Sequence, residues 1–357
     1  MIHDIAIVGA GMAGASLAAA IGTRASVVLL ESETVPGYHS TGRSAAFWSE
    51  TYGGPGIQPL TSASGPLLRQ YLSPLGSLHI GRADDAAKAD AFLREFAGTG
   101  VALARVDPAD HVPGLRDAWT IGVMEPSCAY IDVAELHAAE IARARHAGAR
   151  IVTDAALRVA SRSGDVWTIE TSAGTVHTRI LVDAAGAWAD VVAARAGVRP
   201  LGFTAYRRTM AQLRTDPGSP PTMPHVADLS GNFYFKPEAG GRVWLSPHDE
   251  TATDPCDAAP EELDVAIAID RFEGVVDWRV AAVERRWAGL RTFALDRLPV
   301  YGFDPVVPGF FWCAGQGGFG IQTAPAGAMI AAALLLGVAP DPAIGGVDLD
   351  RYSAARF

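Results

Sequence analysis

The sequence predicts an α/β fold in which one domain is assembled from distant parts of the chain. Residues 5–14 read IAIVGAGMAG, four apolar strand residues that run into the glycines of a G-x-G-x-x-G turn. Residues 310–320 read FFWCAGQGGFG, a second strand that breaks into glycines before an apolar helix. Because both turns belong to one cofactor site, we expect a discontinuous Rossmann-like domain beside a substrate domain built on a mixed sheet.

The first turn lies in the context that a dinucleotide-binding fold requires. Its glycines Gly9, Gly11 and Gly14 would let backbone N–H groups at a helix N-terminus approach a pyrophosphate. The next predicted strand ends at Glu31, about 20 residues further on, where a carboxylate binds ribose hydroxyls. This favours a ribose without a 2′-phosphate. The alternative is an ordinary buried βαβ unit whose glycines serve packing.

The second glycine turn indicates that the other end of the cofactor also needs close approach of the backbone. This favours a flavin, whose ring rests on the protein, over a nicotinamide cofactor. We therefore expect FAD.

Composition excludes several classes of protein. A chain of 357 residues is long for one core, and 49% apolar with 19% charged residues describes a folded globule. The net charge of −10 argues against nucleic acid or an anionic membrane as a partner. The segment 324–337 is too short for a membrane span and contains Pro325 and Gly327, so we expect no integral membrane segment.

The cysteines and the N-terminus suggest a location. Cys128, Cys256 and Cys313 show neither metal-ligand spacing nor a disulfide framework, which fits a reducing compartment. The N-terminal apolar run is a strand that ends in the glycine turn, and no basic stretch precedes it, so it is not a signal peptide. We expect a cytoplasmic protein.

Element patterns divide the chain into two domains. Asp132 and Glu135 form a capping-box pattern for a helix that runs to about His146. Alternating residues around Gly164-Asp165 predict a hairpin, and three β-type segments between 201 and 290 predict a mixed sheet. We expect the cofactor domain over 1–53, 130–200 and 295–357, and the substrate domain over 54–129 and 201–294.

Five segments resemble the D-amino-acid oxidase superfamily of FAD enzymes, which includes glycine oxidase and sarcosine oxidase. They follow the family's order over nearly the whole chain: PGYHSTGRSAA at 36–46, AAGAW at 184–188, FYFKP at 233–237, WAGLR at 287–291 and QGGFGIQT at 316–323. The resemblance is greatest to bacterial FAD-dependent D-amino-acid dehydrogenases of the D-arginine dehydrogenase type.

The resemblance and the two turns together imply a set of cofactor-binding residues. Small and hydroxyl-bearing residues at 40–46 would contact the pyrophosphate and the polar edge of the ring, and Arg43 would offer charge-assisted donors. A serine- and glycine-rich surface loop is the alternative. No Cys or His is placed for a covalent flavin bond, so we expect FAD to be non-covalent. The expected cofactor residues are Gly9, Gly11, Met12, Ala13, Gly14, Glu31, Ser40, Thr41, Gly42, Arg43, Ser44, Ala45, Ala46, Ala185, Gly186, Trp188, Gly317, Gly318, Phe319, Gly320, Ile321, Gln322 and Thr323.

Arg208 and Arg291 lie in weakly charged stretches, where a guanidinium needs an anion and matches a carboxylate bidentately. The resemblance implies that both hold the substrate α-carboxylate together with Tyr234. A structural ion pair is the alternative for each arginine. Arg207 is expected on the opposite face of its strand.

Other residues complete the expected site. The resemblance implies that Tyr52, followed by glycines, belongs to a mobile lid, with a solvent-exposed turn tyrosine as the alternative. It also implies that Gln322 and the carbonyl of Gly318 hold the substrate amine.

Two departures from the arginine-preferring enzymes bear on the substrate pocket. Ser77 stands where those enzymes carry a glutamate, and Phe47, followed by Trp48, stands where they carry a histidine. A cationic side chain would then be buried without a partner, so we expect an apolar or small side chain.

The expected activity is oxidation of a D-amino acid by hydride transfer to flavin N5. The imine product would hydrolyse to a 2-oxo acid and ammonia. The alternative is a dioxygen-using oxidase of the glycine or sarcosine oxidase type. A flavoprotein with an assembly or sensor role is disfavoured by the two arginines. The electron acceptor stays open among a quinone, an electron carrier and dioxygen, because oxygen reactivity depends on small cavities beside the flavin.

Overall fold

The computed structural model describes all 357 residues and contains 21 strands and seven α-helices. The strands are β1 Ile2–Val8, β2 Val27–Leu30, β3 Phe47–Trp48, β4 Leu72–Pro74, β5 Ser77–Arg82, β6 Ala104–Val106, β7 Trp119–Glu125, β8 Ala129–Ile131, β9 Arg150–Val152, β10 Leu157–Ser163, β11 Val166–Thr171, β12 Gly174–Asp183, β13 Thr204–Asp216, β14 His225–Asp228, β15 Tyr234–Glu238, β16 Arg242–Ser246, β17 Thr251–Thr253, β18 Arg279–Phe293, β19 Val300–Phe303, β20 Phe310–Ala314 and β21 Gln316–Gly317. The helices are α1 Met12–Ile21, α2 Gln58–Leu68, α3 Ala86–Glu95, α4 Val133–His146, α5 Ala189–Arg195, α6 Glu262–Glu273 and α7 Ala324–Leu336.

The first sheet is organised around β1. Strand β1 pairs in parallel with β2 on one side and with β12 on the other, and β20 pairs in parallel with β12. Side chains of β1 alternate between two cores: Ile5 and Ile7 pack beneath α1 and α7, whereas Ala6 and Val8 face the core that includes α5. Because both faces are covered, the parallel strands are nearly continuously apolar.

The second sheet is built on two long antiparallel strands, β13 and β18, which pair along nearly their whole length. Its order is β21-β18-β13-β16-β15-β14-β5-β7-β6, with β17 paired to β13. Apolar residues on one face, such as Leu213, Phe235 and Leu245, form a core with Phe272 of α6. The opposite face of β13 carries Arg208 and Met210, which reach the candidate site.

These two sheets confirm the predicted fold class. Helix α4 starts directly after Asp132, whose side chain accepts the Glu135 N–H at 2.8 Å, and α7 ends at Gly337 in the left-handed conformation. The predicted hairpin around Gly164 is β10–β11. All three cysteines are free thiols, and every helix is too short or too polar to cross a bilayer.

A small third sheet, β3-β8-β4, connects the two large ones. Helix α2 lies between β3 and β4 of this sheet in the chain and packs against α7 through Leu60, although the sequence assigned residues 54–129 to the substrate domain. Strand β21, from the segment 295–357, pairs with β18 of the second sheet. The domain division stays a prediction, and the packing does not follow it at these two places.

Candidate active site

A cavity of about 420 Å³ lies between the first and second sheets. Its walls come from the first glycine turn and from four later segments, residues 37–47, 184–188, 289–292 and 316–322. The expected site residues that line it are Gly9, Gly11, Met12, Ala13, Glu31, Ser40, Thr41, Arg43, Ser44, Ala45, Ala46, Phe47, Tyr52, Ala185, Gly186, Trp188, Arg208, Arg291, Gly317, Gly318, Gly320, Ile321 and Gln322.

One end of the cavity is formed by backbone rather than by side chains. Helix α1 begins directly after Gly11 and has no acidic residue in its first turn, so the positive end of its dipole is not neutralised there. A Cβ at Gly11 would have one close neighbour, Thr41 Oγ1 at 3.2 Å. Since Gly11 lines the cavity, a larger side chain would fill space that an anionic group can use.

The carboxylate of Glu31 is held at the wall of this end by the chain itself. Its Oε2 accepts the Ala10 N–H at 2.9 Å, and its Oε1 accepts the Glu33 N–H at 3.0 Å and the Ser32 hydroxyl at 3.1 Å. An ionised carboxylate has about four acceptor positions. The buried side chain therefore keeps acceptor capacity for a hydroxyl of a bound ribose.

Two expected cofactor glycines serve packing instead of lining the cavity. A Cβ at Gly14 would lie 1.9 Å from the carbonyl oxygen of Gly9, so only glycine lets α1 pack against the turn. The N–H of Gly42 donates to the carbonyl of Gly37 at 2.8 Å and closes the loop between them.

Phe319 and Thr323 also lie outside the cavity lining. The Phe319 ring packs edge-on against Tyr52 with centroids 5.0 Å apart, and the Thr323 hydroxyl donates to the Phe319 carbonyl at 2.9 Å. Both residues therefore stabilise the second glycine turn from the side that does not line the cavity.

The segment 40–46 lines the cavity, but Arg43 does not use its charge there. One nitrogen of its guanidinium donates to the carbonyl of Ala258 at 2.8 Å, and another pairs with Asp257. The hydroxyl of Ser40 donates to the Leu290 carbonyl at 2.7 Å. The expectation that Arg43 offers charged donors to the cofactor is therefore corrected: its partners belong to the substrate side of the molecule.

The other end of the cavity is dominated by Arg291. Its Nη1 donates to the hydroxyl of Tyr52 at 2.6 Å and its Nη2 to the hydroxyl of Tyr234 at 3.2 Å. Both partners are neutral phenols, so the charge of this half-buried guanidinium is not balanced by an acid within hydrogen-bond distance. Tyr234 touches the site through this contact and is buried beside Met210.

Arg208 lies next to Arg291 and is only 3% exposed. Its Nε donates to the Asp249 carbonyl at 2.7 Å, and its Nη2 pairs with Glu250 at 3.2 Å. Its Nη1 is buried without any partner. Burial, followed by the nearby charge of Arg291, lowers the pKa of Arg208. The alternative of a structural ion pair therefore holds for Nη2 of Arg208, which pairs with Glu250. Nη1 of the same guanidinium has no acceptor.

Arg207 points to the opposite face of β13, as the alternation of a strand requires. Its guanidinium pairs with Asp264 at 2.9 Å and with Glu261. It does not line the cavity.

The second glycine turn packs tightly against these side chains. A Cβ at Gly318 would lie 2.5 Å from the Tyr52 hydroxyl and 3.3 Å from Arg291 Nη1. No N–H or hydroxyl donates to the Gly318 carbonyl, so that oxygen is available to a substrate amine.

Gln322 lines the cavity, and its carboxamide also contacts the segment that carries Tyr52. Its Oε1 accepts the Ser49 N–H at 3.3 Å, and its Nε2 donates to the Tyr52 carbonyl at 3.1 Å and to Thr61 Oγ1 at 2.8 Å. Both amide hydrogens are used within the protein, but Oε1 has a second lone pair that can accept a further hydrogen bond. The expected contact of this side chain with a substrate amine stays a prediction.

Of the three residues expected to shape the substrate pocket, only Phe47 lines the cavity. Trp48, the next residue on the strand, points to the opposite side, where its ring packs near Gly65 and its Nε1 donates to the Thr61 carbonyl at 3.3 Å. Ser77 is buried behind Phe47, with its hydroxyl 2.9 Å from His225 Nδ1. Both expectations are corrected, although Ser77 still places no anion in the pocket.

Two histidines near the arginines are uncharged. Burial lowers the pKa of His248 to about 3, and Arg208 and Arg291 add to that effect. Burial likewise holds the pKa of His225 well below its ordinary value. The His225 ring stacks on Phe47 with centroids 4.6 Å apart. The positive charge that faces the cavity at this end therefore comes from the two arginines.

Sequence reasoning missed several residues that line the cavity, among them Met210, His39 and Thr292. Met210 could have been found, because it follows Arg208 by two positions on one strand and must share its face. His39 could not, because its position against Trp188, with ring centroids 4.6 Å apart, depends on the three-dimensional packing.

A family model described as FAD dependent oxidoreductase (DAO) matches residues 4–334. The chain belongs to this family. Its cofactor is FAD, and the geometry fits one: a glycine turn that lines the cavity at Gly9 and Gly11, a carboxylate with spare acceptor capacity, and a cavity that also reaches the second glycine turn.

Solved structures share this FAD-dependent oxidoreductase fold over almost the full chain. Glycine oxidase from Geobacillus kaustophilus is 22% identical with a TM-score of 0.84, covering 99% of each chain. L-proline dehydrogenase from P. horikoshii is 20% identical with a TM-score of 0.83, covering 96% of each chain. Dithionite-reduced L-α-glycerophosphate oxidase from Mycoplasma pneumoniae, with FAD bound, is 16% identical with a TM-score of 0.84, covering 96% of this chain and 97% of that one.

Proposed function

We propose that this FAD-dependent oxidoreductase oxidises an amino acid whose carboxylate binds Arg291 and Arg208. The observation that carries the proposal is the pair of adjacent guanidinium groups, one bonded only to phenols and the other with a buried Nη1 that has no acceptor. A carboxylate would supply acceptors to both, in charge-assisted hydrogen bonds. Because the two guanidinium groups are sheltered from water, their hydrogen bonds to a carboxylate would contribute more binding free energy than an exposed ion pair does.

The similar structures support this substrate class. Glycine oxidase, L-proline dehydrogenase and the L-amino acid deaminase from Proteus vulgaris are named for amino-acid substrates, and iminodiacetate oxidase for a secondary amine with two carboxylates. L-α-glycerophosphate oxidase is named for a substrate that is not an amine, so an amino acid needs direct testing.

Catalysis by this chain's own residues would rest on positioning. FAD, when bound without a covalent link, supplies the two-electron acceptor. The arginines, with the hydroxyls of Tyr52 and Tyr234, would fix the carboxylate, and the Gly318 carbonyl would accept a hydrogen bond from the amine. An amine that enters neutral needs no protein base, and the imine product takes up water to give a 2-oxo acid and ammonia.

The side chain of the substrate is proposed to be apolar or small. Phe47 and Met210 line the cavity beside the arginines, and His225 and His248 are uncharged there. Glu250, the acid that pairs with Arg208, also pairs with Arg297 at 2.8 Å, so a cationic substrate side chain would be the third cation on this carboxylate. A guanidinium on the substrate would lose its hydration without gaining a partner.

The D configuration is proposed from the segments shared with bacterial D-amino-acid dehydrogenases. The deciding experiment is anaerobic flavin reduction of the FAD-loaded enzyme with D-leucine, D-methionine, D-proline and D-arginine, each beside its L-enantiomer. We expect the apolar D-amino acids to reduce the flavin fastest. Fastest reduction by D-arginine would contradict the apolar pocket, and fastest reduction by an L-enantiomer would contradict the configuration. Failure of every amino acid would overturn the proposed substrate class.

The electron acceptor separates the proposed dehydrogenase from the alternative oxidase. Mixing the substrate-reduced enzyme with dioxygen or with a soluble quinone, and following the return of flavin absorbance, measures both rates directly. Faster reoxidation by the quinone supports the dehydrogenase, whereas rapid reoxidation by dioxygen supports the oxidase.

A cytoplasmic location is proposed from the three free thiols.

A further inference from the structure

A fully buried carboxylate lies outside the cavity, at the end of β7. Glu125 is 0% exposed and does not line the cavity. Its Oε2 accepts the hydroxyls of Thr51 at 2.6 Å and Ser49 at 2.8 Å, and its Oε1 accepts the Glu50 N–H at 2.7 Å. Three consecutive residues directly before Tyr52 therefore donate to one side chain.

The polar surroundings favour the ionised form of this buried group. Burial alone raises the pKa of Glu125, but the nearby His79 imidazole, with its Nε2 3.9 Å from Oε2, and the hydroxyls of Thr51 and Ser49 outweigh it and leave the pKa below its ordinary value. A carboxylate that accepts several donors is a stronger anchor than a neutral amide at the same place.

Ring contacts also hold the segment, because the Tyr52 ring packs against Phe47 and Phe319 with centroids 5.2 Å and 5.0 Å apart. Gly53 and Gly54 follow Tyr52 immediately, both with positive φ, at +101° and +73°. Gln322 holds the backbone from the opposite side through Ser49 and Tyr52. Between these two supports, the Tyr52 side chain reaches Arg291, with 2.6 Å between the hydroxyl and Nη1.

We propose that Glu125 is a positioning residue that fixes Ser49–Thr51 and thereby holds the Tyr52 hydroxyl against Arg291, which sets the affinity for the substrate carboxylate. This inference rests on the proposed function, because it takes the arginines as the carboxylate site. A residue that only stabilised the fold would change the resistance to unfolding and leave the affinity for carboxylates unchanged.

The test is a double-mutant cycle on the FAD-loaded enzyme with isobutyrate, a carboxylate that lacks the amine and cannot be oxidised as an amino acid. Its Kd is read from the perturbation of flavin absorbance. We expect Glu125→Gln to raise the Kd about tenfold with unchanged FAD content, since an amide replaces one of the two acceptor oxygens by an NH₂ group that donates. We expect Tyr52→Phe to raise it by a similar factor. In the Tyr52→Phe background, Glu125→Gln should add less than about twofold, because its effect passes through the missing hydroxyl.

Asp228 provides a matched control. It is a buried carboxylate that accepts the Asn232 N–H at 3.1 Å, the Asn232 side-chain amide at 2.6 Å and the Ser230 N–H at 3.2 Å, so it holds a turn away from the cavity in the same way. Asp228→Asn should leave the isobutyrate Kd within about twofold of wild type.

Each possible failure has its own pattern. An unchanged Kd in Glu125→Gln, or an effect that multiplies in full with Tyr52→Phe, would overturn the positioning role while leaving the carboxylate site intact. No isobutyrate binding to the unaltered enzyme, or an unchanged Kd in Arg291→Met, would overturn the proposed function itself.

If Glu125→Gln does not fold, Thr51→Val replaces it. This variant removes one donor to the carboxylate and keeps the acid, so it should raise the Kd about threefold in the wild-type background and have no effect in Tyr52→Phe. An unchanged Kd in Thr51→Val would then overturn the positioning role.

Discussion

The two ends of the cavity are built in different ways. At the dinucleotide end, Gly9, Gly11 and Ala13 come from one short segment and offer backbone, with Glu31 added from the next strand. At the arginine end, Tyr52, Arg208 and Arg291 meet from positions more than 80 residues apart and offer side chains. A site made of backbone is fixed by local sequence, whereas a site made of side chains depends on how distant strands pair.

This contrast predicts that a change at the arginine end alters substrate use and spares FAD. Arg291→Met should lower kcat/KM by roughly 30- to 1000-fold, because it removes charge-assisted contacts worth about 2–4 kcal/mol in a sheltered site. Flavin content after purification should match wild type. Steady-state kinetics beside flavin quantification measures both.

The control for that change is Arg207→Met, on the opposite face of the same sheet. It should change kcat/KM less than about fivefold, since Arg207 pairs with Glu261 and Asp264 away from the cavity. Equal losses of kcat/KM in the two variants would contradict the assignment of Arg291 to the face of the sheet that binds substrate and of Arg207 to the opposite face.

A change at the dinucleotide end should do the reverse. Gly11→Val would place methyl groups in the cavity beside Thr41, and we expect FAD affinity to fall at least about 30-fold. Equilibrium dialysis against FAD gives the number. Gly346→Val is a suitable control, because Gly346 is exposed, has no positive φ, and has open space where a Cβ would lie. Full FAD occupancy in Gly11→Val would remove the distinction between the two ends.

Ser77, which is buried behind Phe47, tests whether residues outside the cavity affect stability without affecting substrate choice. Ser77→Glu would set a second carboxylate directly opposite Glu125 in the β5–β7 ladder and break the contact with His225. Two buried carboxylates cannot both stay ionised cheaply, so we expect about 2–3 kcal/mol lower stability to denaturant. Substrate preference should not move toward D-arginine, because the new acid lies outside the cavity.

Ser77→Ala separates the charge from the lost hydroxyl. It should cost about 1 kcal/mol, the usual worth of one hydrogen bond, in the same denaturant titration. A gain of D-arginine oxidation by Ser77→Glu would show instead that the side chain at 77 reaches the substrate.

The smallest expected effect concerns His248, whose folded pKa of about 3 lies below its unfolded value near 6.5. The unfolded chain therefore binds a proton first, and this histidine removes stability as the pH falls below about 6.5. At pH 6 the loss relative to pH 8 is about 0.8 kcal/mol, and His248→Asn should lack it. Denaturant titrations of both proteins at the two pH values test this, and parallel curves would contradict the depressed pKa.

How much the sequence predicts follows the same division. The glycine turn, Glu31 and the helix after Asp132 are predictable because their signals are local spacings and caps. Arg208 and Met210 share a face by strand alternation alone. Trp48 and Ser77 were misplaced because the directions of their side chains depend on the partner strand and on tertiary contacts, which sequence patterns do not encode.

For Arg43 the sequence predicts the position of the residue but not its binding partner. Its position beside the cofactor segment is predictable, but its partner Asp257 lies more than 200 residues away in the chain. A charged side chain chooses among all acids within reach after folding, and that choice is set by packing. The sequence locates such a residue without revealing what it binds.

The order of strands has a consequence for the protein during its synthesis. Strand β12 lies between β1 and β20 in the first sheet. The sheet that carries the first glycine turn can therefore form completely only after residues near 183 and 314 have been synthesised. Until then the first βαβ unit exposes one apolar edge and has no second turn to complete the cavity. A growing chain with such long-range pairing folds late, and free FAD can act as a ligand that pulls the finished chain toward its native state.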